Sequence, residues 1–107
     1  MFSKKNEEGY KTPMEGIHYK TLSYGDKTLM AKFKLEKDKV LPEHEHPHEQ
    51  TGLLISGRIN LTIDGTLHEV HPGDSWCIPG GVEHRADIIE DSVAVEVFSP
   101  VREDFLP

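Results

Sequence analysis

The sequence predicts an all-β protein, folded as a single-domain antiparallel β-barrel or jelly roll. Short runs of alternating apolar and polar residues recur along the chain, which is the pattern of half-buried strands. Turn residues such as Asp64-Gly65 and Pro79-Gly80-Gly81 separate these runs at short intervals. No window shows a helical period, and many short strands at turn intervals are typical of antiparallel barrels.

The chain of 107 residues has the length of one domain. Residues 1–16 are polar and contain Gly9, Pro13 and Gly16, so we expect an N-terminal arm and not a core element. The barrel domain then spans residues 17–107.

The first two predicted strands are residues 17–23 and 28–36, joined by turn residues at 24–27. Apolar and polar side chains alternate cleanly in the second strand, as expected when one face lies in the core. The residues expected on the buried face are Leu29, Ala31, Phe33 and Leu35.

The middle of the chain predicts further short strands. They are residues 40–46, 50–56, 58–63, 66–70 and 75–78. Ser56-Gly57 is expected to form a turn between two of them. Asp64-Gly65 is a strong signal for a two-residue hairpin loop.

The last predicted strand pair is residues 82–89 and 92–98, with Glu90-Asp91 between them. The second of these strands has two alternative phases. Periodicity favours the phase in which its valines point inward, which leaves Glu96 in solvent. In the other phase Ala94, Glu96 and Phe98 face the barrel interior.

The composition narrows the range of partners and compartments. A formal net charge of −7 argues against nucleic acid or an anionic membrane. A single cysteine, Cys77, cannot form an intrachain disulfide and favours a reducing compartment. The chain has no apolar run of membrane-spanning length, and its first twenty residues lack a signal-peptide core, so we expect a cytoplasmic protein.

Two histidines, His44 and His46, are two residues apart in the predicted strand of residues 40–46. Side chains at i and i+2 point to the same face of a strand and lie about 7 Å apart, so both imidazoles can converge on one ion. His48 continues this series, but in a straight strand it would lie about 13 Å from His44, too far to share the ion. We therefore expect His48 at the rim of the site.

Two further candidate ligands complete the predicted site. Pro47 should end or kink the strand, which lets Gln50 turn back toward the histidine pair. His84 follows the Pro79-Gly80-Gly81 turn, whose tight bend would aim its side chain. Three imidazoles and an amide suit one divalent transition metal ion: nickel, zinc, iron, manganese or cobalt. Because all four ligands are neutral, the ion keeps its full charge and acts as a strong Lewis acid.

These spacings resemble the two motifs of the cupin superfamily. The first motif is glycine, five residues, His-x-His, three or four residues, glutamate, six residues, glycine; the second is glycine, five residues, Pro-x-Gly, two residues, histidine, three residues, asparagine. The matching positions are His44, His46, Gly57, Gly73, Pro79, Gly81 and His84. Asp38, Gln50 and Ile88 stand where the motifs have glycine, glutamate and asparagine. The resemblance implies the cupin barrel, a double-stranded β-helix, and a homodimer in which the N-terminal arm is one candidate contact.

Within that superfamily the chain resembles the KdgF-type cupins of pectin and alginate breakdown, which linearise unsaturated uronates. The resemblance runs from about Gly16 to Leu106 and includes His-x-His-Pro-x-Glu-Gln at 44–50 and Phe-Ser-Pro-x-Arg-Glu-Asp-Phe-Leu at 98–106. It implies that Phe98 and Arg102 line the site. Glu96 stands where that family has an aspartate.

The resemblance implies a metal-dependent enzyme that converts 4,5-unsaturated uronate monosaccharides to the linear ketone form. Arg102 would pair with the carboxylate of an anionic sugar or acid, Glu96 would move a proton, and Phe98 would pack against the sugar ring. Two alternatives remain. One is a metal-dependent module that binds a small sugar or acid without turnover, and the other is a different metal-cupin enzyme, such as a dioxygenase or sugar isomerase.

Overall fold

The computed structural model describes residues 2–107 and confirms the all-β prediction. Its elements are β1 (Lys11–Met14), β2 (Ile17–Tyr24), β3 (Leu29–Leu35), β4 (Val40–His44), β5 (Glu49–Ile63), β6 (Thr66–Val70), β7 (Ser75–Ile78), β8 (His84–Ser99) and η1 (Glu103–Phe105), a single 3-10 turn. Across residues 2–107 there is no helix with the length and apolar character that a membrane crossing needs.

Two long strands, β5 and β8, organise the sheet. They pair antiparallel along their whole lengths, from Glu49↔Ser99 to Ile63↔His84. On the other side of β8, its first part pairs with β4 and its later part with β3, to which β2 and then β1 are added. On the other side of β5, its first part pairs with β7 and its later part with β6. Each long strand therefore belongs to both layers of a jelly roll.

The predicted turns at Ser56-Gly57 and Glu90-Asp91 are wrong, because β5 and β8 run through both positions. Gly57 has a φ of 88°, and the register with β8 shifts around it, which marks a β-bulge. The Ser92 hydroxyl accepts a hydrogen bond from the Arg58 amide at 3.0 Å and donates to the Glu90 carbonyl at 2.7 Å. A bulge bends a strand without reversing it, so each predicted pair of strands is one bent strand.

The core lies between the two layers, and the alternation predicted for β3 is confirmed. Leu29, Ala31, Phe33 and Leu35 are all buried, as are Ile59, Leu61, Ala86 and Ile88 on β5 and β8. The predicted Asp64-Gly65 hairpin is also confirmed. Ile63 pairs with Thr66, and both loop residues have positive φ, as this tight turn requires.

The phase that periodicity favoured for the end of β8 is wrong. Ala94, Glu96 and Phe98 are buried, whereas the three valines between and before them are only partly buried and face outward. Valine is common on both faces of a sheet. Because both faces of this strand carry apolar residues, periodicity did not show which face is buried. The Glu96 carboxylate therefore enters the barrel.

The N-terminal arm packs on its own chain. β1 pairs antiparallel with β2, and Glu7 bonds to Lys34 at 3.0 Å. Lys20 donates to the Asn6 carbonyl at 2.6 Å. The division of the chain at residue 16 and the contact of the arm with a partner subunit stay predictions, and Met1 lies outside the described residues.

Candidate metal centre

Three of the predicted ligand histidines meet at one end of the barrel. His44 ends β4 and is the cross-strand partner of His84, which begins β8. His46 lies in the connection that follows β4. One ring nitrogen from each of the three lies within 4.8 Å of the others, which is the arrangement of a candidate metal site.

Backbone carbonyls determine which nitrogen of each ring faces the site. The Nδ1 atoms of His44, His46 and His84 lie 2.9, 3.0 and 2.9 Å from the carbonyl oxygens of residues 42, 48 and 82. A carbonyl can only accept, so Nδ1 carries the proton in His44 and His84, and their Nε2 atoms present lone pairs. His46 has an oxygen beside each ring nitrogen, and its tautomer with the proton on Nδ1 presents Nε2 in the same way. This is the tautomer that metal-binding histidines use. His84 Nε2 is buried and has no hydrogen-bond partner among residues 2–107, and a metal ion at this position would take up its lone pair.

Burial favours the neutral form of two of these rings, those of His84 and His46, by lowering the pKa of each. It lowers the pKa of His84 to about 4, and the neighbouring imidazoles and Arg102 act in the same direction. Burial also lowers the pKa of His46, again helped by the charge of Arg102. Neutral imidazole is the form that binds a metal, so the lowered pKa values prepare His46 and His84 for that role.

Gln50 lies beside the histidines and presents its oxygen to them. Its Oε1 is 3.0 Å from His46 Nε2, so in the His46 tautomer with the proton on Nδ1 two acceptor atoms face each other. This contact is unfavourable unless a cation lies between them. Two ligand atoms about 2.1 Å from one ion and at right angles around it are about 3.0 Å apart. The geometry thus fits a metal held by His44, His46, His84 and Gln50.

The loop before His84 is anchored to the segment that carries His46. The Gly81 amide donates to the His46 carbonyl at 2.8 Å. A side chain at position 80 would place its Cβ 2.3 Å from the Pro47 carbonyl oxygen, so glycine there permits the close approach. The loop thereby sets the position of one ligand relative to another.

Asp38, at the position where the cupin motif has glycine, has a φ of 66°. The turn at this position therefore has the left-handed conformation that glycine adopts most easily, and aspartate tolerates it. The carbonyl oxygen of His48 lies beside His46 Nδ1, and the place of the His48 side chain at the rim of the site stays a prediction.

A cavity of about 380 Å³ opens beside the histidines. It brings together five of the seven predicted site residues. These are His44, Gln50, Glu96, Phe98 and Arg102. The remaining wall is mainly apolar, with Ile17, Tyr19, Phe33, Leu41 and Phe105. The cavity therefore combines a small polar region with a surface suited to the apolar face of a small molecule.

Glu96 is buried in the cavity wall, where both of its carboxylate oxygens accept hydrogen bonds. Gln50 Nε2 donates to Oε2 at 2.5 Å, and Trp76 Nε1 donates to Oε1 at 2.8 Å. Burial raises the pKa of Glu96, and these two hydrogen bonds oppose the rise. Sequence reasoning missed Trp76, because no motif includes it; its place on a predicted strand next to Gly52 became visible only from the register.

Arg102 is held at the cavity mouth by two neighbours. Its Nε donates to both Asp104 oxygens, at 3.0 and 3.1 Å. Its guanidinium carbon lies 4.1 Å from the centre of the Phe105 ring and 5.0 Å from that of Phe98. Among residues 2–107 no hydrogen bond forms to its two terminal nitrogens, so this planar pair can receive an anion. Sequence reasoning did not foresee these roles of Asp104 and Phe105.

Comparison with known proteins places this geometry in a family. A family model described as a cupin domain matches residues 31–100. The pectin degradation protein KdgF of Dickeya dadantii (strain 3937) is 28% identical over 94 residues, which are 86% of each chain.

Two solved structures superpose on nearly the whole chain. KdgF from Halomonas sp. has a TM-score of 0.92 and 27% identity, covering 99% of this chain and 98% of that chain. An RmlC-like cupin from Shewanella frigidimarina NCIMB 400 also has a TM-score of 0.92, with 26% identity and coverage of 98% and 95%.

Proposed function

The chain belongs to the cupin domain family, and we propose that it is a metal-dependent enzyme that converts 4,5-unsaturated uronate monosaccharides to the linear ketone form. Such a step belongs to the breakdown of pectin- or alginate-type polysaccharides. The similarity to two KdgF proteins supports the substrate class. The observation that carries the proposal is one cavity that combines candidate metal ligands with Glu96, Phe98 and Arg102.

His44, His46, Gln50 and His84 would hold one divalent transition metal ion, since their free Nε2 atoms and amide oxygen converge. When bound, the ion supplies Lewis acidity that polarises substrate oxygens. The imidazole-rich set is compatible with nickel, zinc, iron, manganese or cobalt.

Arg102 would bind the substrate carboxylate. Arg102 lines the cavity, and its Nε is the nitrogen that donates to Asp104, so its terminal nitrogens are the pair left for a substrate. A planar guanidinium forms paired hydrogen bonds to a carboxylate, which both binds and orients the sugar. The net charge of −7 repels an anion at long range, so this local cation matters for capture.

Glu96 would transfer the proton that the isomerisation requires. As the ring opens, the hydroxyl on C1 loses a proton, the bond from C1 to the ring oxygen breaks, and C4 gains a proton. An aldehyde at C1 and a ketone at C5 result, with no net gain or loss of atoms. Burial raises the pKa of Glu96, which moves a carboxyl group toward the range useful for proton exchange near neutral pH.

Phe98 would pack against the sugar ring. Its side chain is buried in the cavity wall, edge-on to His46 with ring centres 5.8 Å apart. An aromatic wall excludes water from one face of the ring and so limits the positions from which a proton can reach C4.

A proton NMR time course on freshly made 4,5-unsaturated galacturonate tests this function. Buffer alone is required as a reference, because the ring also opens unaided. We expect the vinyl signal of C4 to decay faster with wild-type protein and His68→Ala than with His44→Ala or buffer. His68 is exposed on β6, so its replacement is the matched control.

Elemental analysis of the same samples should find metal in the wild type and His68→Ala but little in His44→Ala. Undiminished metal in His44→Ala would remove His44 from the site. No acceleration by metal-loaded wild type would contradict the proposed activity. Oxygen uptake with substrate would then indicate a dioxygenase, and retained binding without turnover a binding module.

A further inference from the structure

Trp76, Gly52 and Glu96 are neighbours across three strands. Trp76 on β7 is the register partner of Gly52 on β5, and Gly52 is the register partner of Glu96 on β8. The indole Nε1 of Trp76 donates to Glu96 Oε1 at 2.8 Å. The indole therefore crosses over the whole width of β5 to reach a carboxylate two strands away.

Gly52 makes this crossing possible. A Cβ at position 52 would lie 2.3 Å from the indole Cε2 and Nε1 atoms, closer than real Cβ contacts allow. The indole is a rigid ring, so it could not avoid such a Cβ by turning its tip alone. Any larger residue at position 52 would displace the indole from Glu96.

The other oxygen of the same carboxylate fixes the candidate ligand Gln50. Glu96 Oε2 accepts from Gln50 Nε2 at 2.5 Å. Because a carboxylate only accepts, the amide nitrogen must face Glu96, and Oε1 must face His46 and the metal centre. If the carboxylate turned away, the amide would lose this constraint and could present its nitrogen, which cannot ligate a metal.

We propose that Trp76 is a positioning residue for the metal centre. Its N–H holds the Glu96 carboxylate in the plane that keeps the Gln50 oxygen directed at the ion, and Gly52 provides the space for it. The inference rests on the metal site of the proposed function. It extends that site through a chain of contacts, Trp76 to Glu96 to Gln50, that no ligand motif includes.

The wild-type protein allows a direct test, because Trp76 is its only tryptophan and gives a single indole N–H signal. Metal-stripped protein labelled with nitrogen-15 is titrated with zinc, a diamagnetic ion. We expect the indole signal to shift in step with zinc binding. In Gln50→Ala, where three histidines remain to bind zinc, the shift should largely disappear. An indole signal that stays unmoved in zinc-saturated wild type would overturn the proposal.

A substitution provides a second test. Trp76→Phe keeps an aromatic ring but removes the donor, and outer contacts of this kind typically contribute about 10–100-fold to metal affinity. Titration with cobalt, followed by its visible absorption, should show an affinity weakened by about 10–100-fold. At saturation the spectrum should approach that of Gln50→Ala, which a loss of general stability alone would not cause.

Gly52→Ala should give the same spectrum as Trp76→Phe, because the added Cβ would push the Trp76 indole N–H away from Glu96. Tyr24→Phe is the matched control, since it removes one polar atom from an aromatic residue that packs on the core elsewhere. A wild-type spectrum and affinity in Trp76→Phe would overturn the positioning role. If neither site variant folds, the zinc titration of the wild type still decides the question.

The outcomes separate this inference from the proposed function. Wild-type protein that takes up neither zinc nor cobalt refutes both. Protein that binds metal and shows the indole shift, but does not accelerate ring opening, refutes only the proposed activity. Protein that opens the ring but shows no indole shift refutes only the role of Trp76.

Discussion

Each of the three candidate histidine ligands has a backbone carbonyl oxygen beside its Nδ1 atom. The carbonyl oxygens belong to Pro42, His48 and Val82, and when they accept the Nδ1 protons the three Nε2 lone pairs are directed inward. These acceptors are part of the main chain and do not depend on the identity of the side chain they belong to. The ligand motif therefore predicts the orientation of the histidine rings only indirectly, through the backbone conformation that its residues favour.

Arg102→Ala should raise the KM for the unsaturated uronate by about 10–100-fold, because a hydrogen bond to a charged group contributes about 1.5–3 kcal/mol. Steady-state kinetics on the wild type and variant measure the change. Arg85→Ala is the control, since Arg85 is exposed and paired with Asp87. An unchanged KM in Arg102→Ala would remove this residue from the substrate site.

The stability of the metal-stripped protein should fall as the pH drops below about 6.5. Burial lowers the pKa of His84 from 6.5 to about 4, so between these values the unfolded chain binds a proton that the folded protein does not. From pH 7 to pH 5 this single group should lower the free energy of unfolding by up to about 2 kcal/mol. Urea unfolding at both pH values measures the loss, which should be smaller in His84→Gln. An equal loss in that variant would contradict the assignment.

The sequence identified the histidines because their spacing limits where they can lie. Two histidines at i and i+2 were expected to share a face of one strand; β4 ends at His44, but His46 in the following connection still lies in the site. Glu96 was harder, because either phase of its strand places apolar residues inside. Trp76 was not predictable, because its contact with Glu96 depends on the register of three strands.

At the level of elements, the two bent strands β5 and β8 determine how the layers join. Ser56-Gly57 predicts a turn equally well as a bulge, since both need a residue with positive φ. The distinction depends on whether the flanking segments pair with each other or with a common partner. Here both flanks of Gly57 pair with β8, which the local sequence does not indicate.

Gly57→Ala should lower the free energy of unfolding by about 2–4 kcal/mol, because it combines an unfavourable φ with a clash. Its Cβ would lie 2.2 Å from Ser92 Oγ and 2.3 Å from the Asp91 carbonyl oxygen. Gly65→Ala is the matched control: its φ is also positive, but nothing lies within 4 Å. Denaturant unfolding should find the larger loss in Gly57→Ala, and equal losses would contradict a role for the close approach to β8.

For the whole molecule, the spacings of the two motifs were enough to predict the fold. They specify both the turn residues and the histidines that meet at the candidate site. They contain no information about the outer surface. On that surface Met30, Leu53 and Ile55 are exposed on the outward faces of β3 and β5, near the outward valines of β8. The motifs include none of these residues, so they do not predict whether this face binds another chain.

We propose this outer face as the contact surface of the predicted homodimer. Light scattering should then give a mass twice the 12.1 kDa of the chain. Leu53→Arg should give the monomer mass, because it introduces a charge into an apolar contact. Leu67→Arg, at an exposed position on β6, should leave the dimer intact. A monomeric wild type would contradict the prediction.

The most direct test of a metal-dependent ring opening is a metal add-back on stripped protein, with the uronate rate and the bound metal measured on each sample. We expect no rate above buffer without metal and a rate that rises in proportion to metal occupancy, up to one ion per chain. Full activity in protein shown by elemental analysis to be metal-free, or none in saturated protein, would contradict this expectation.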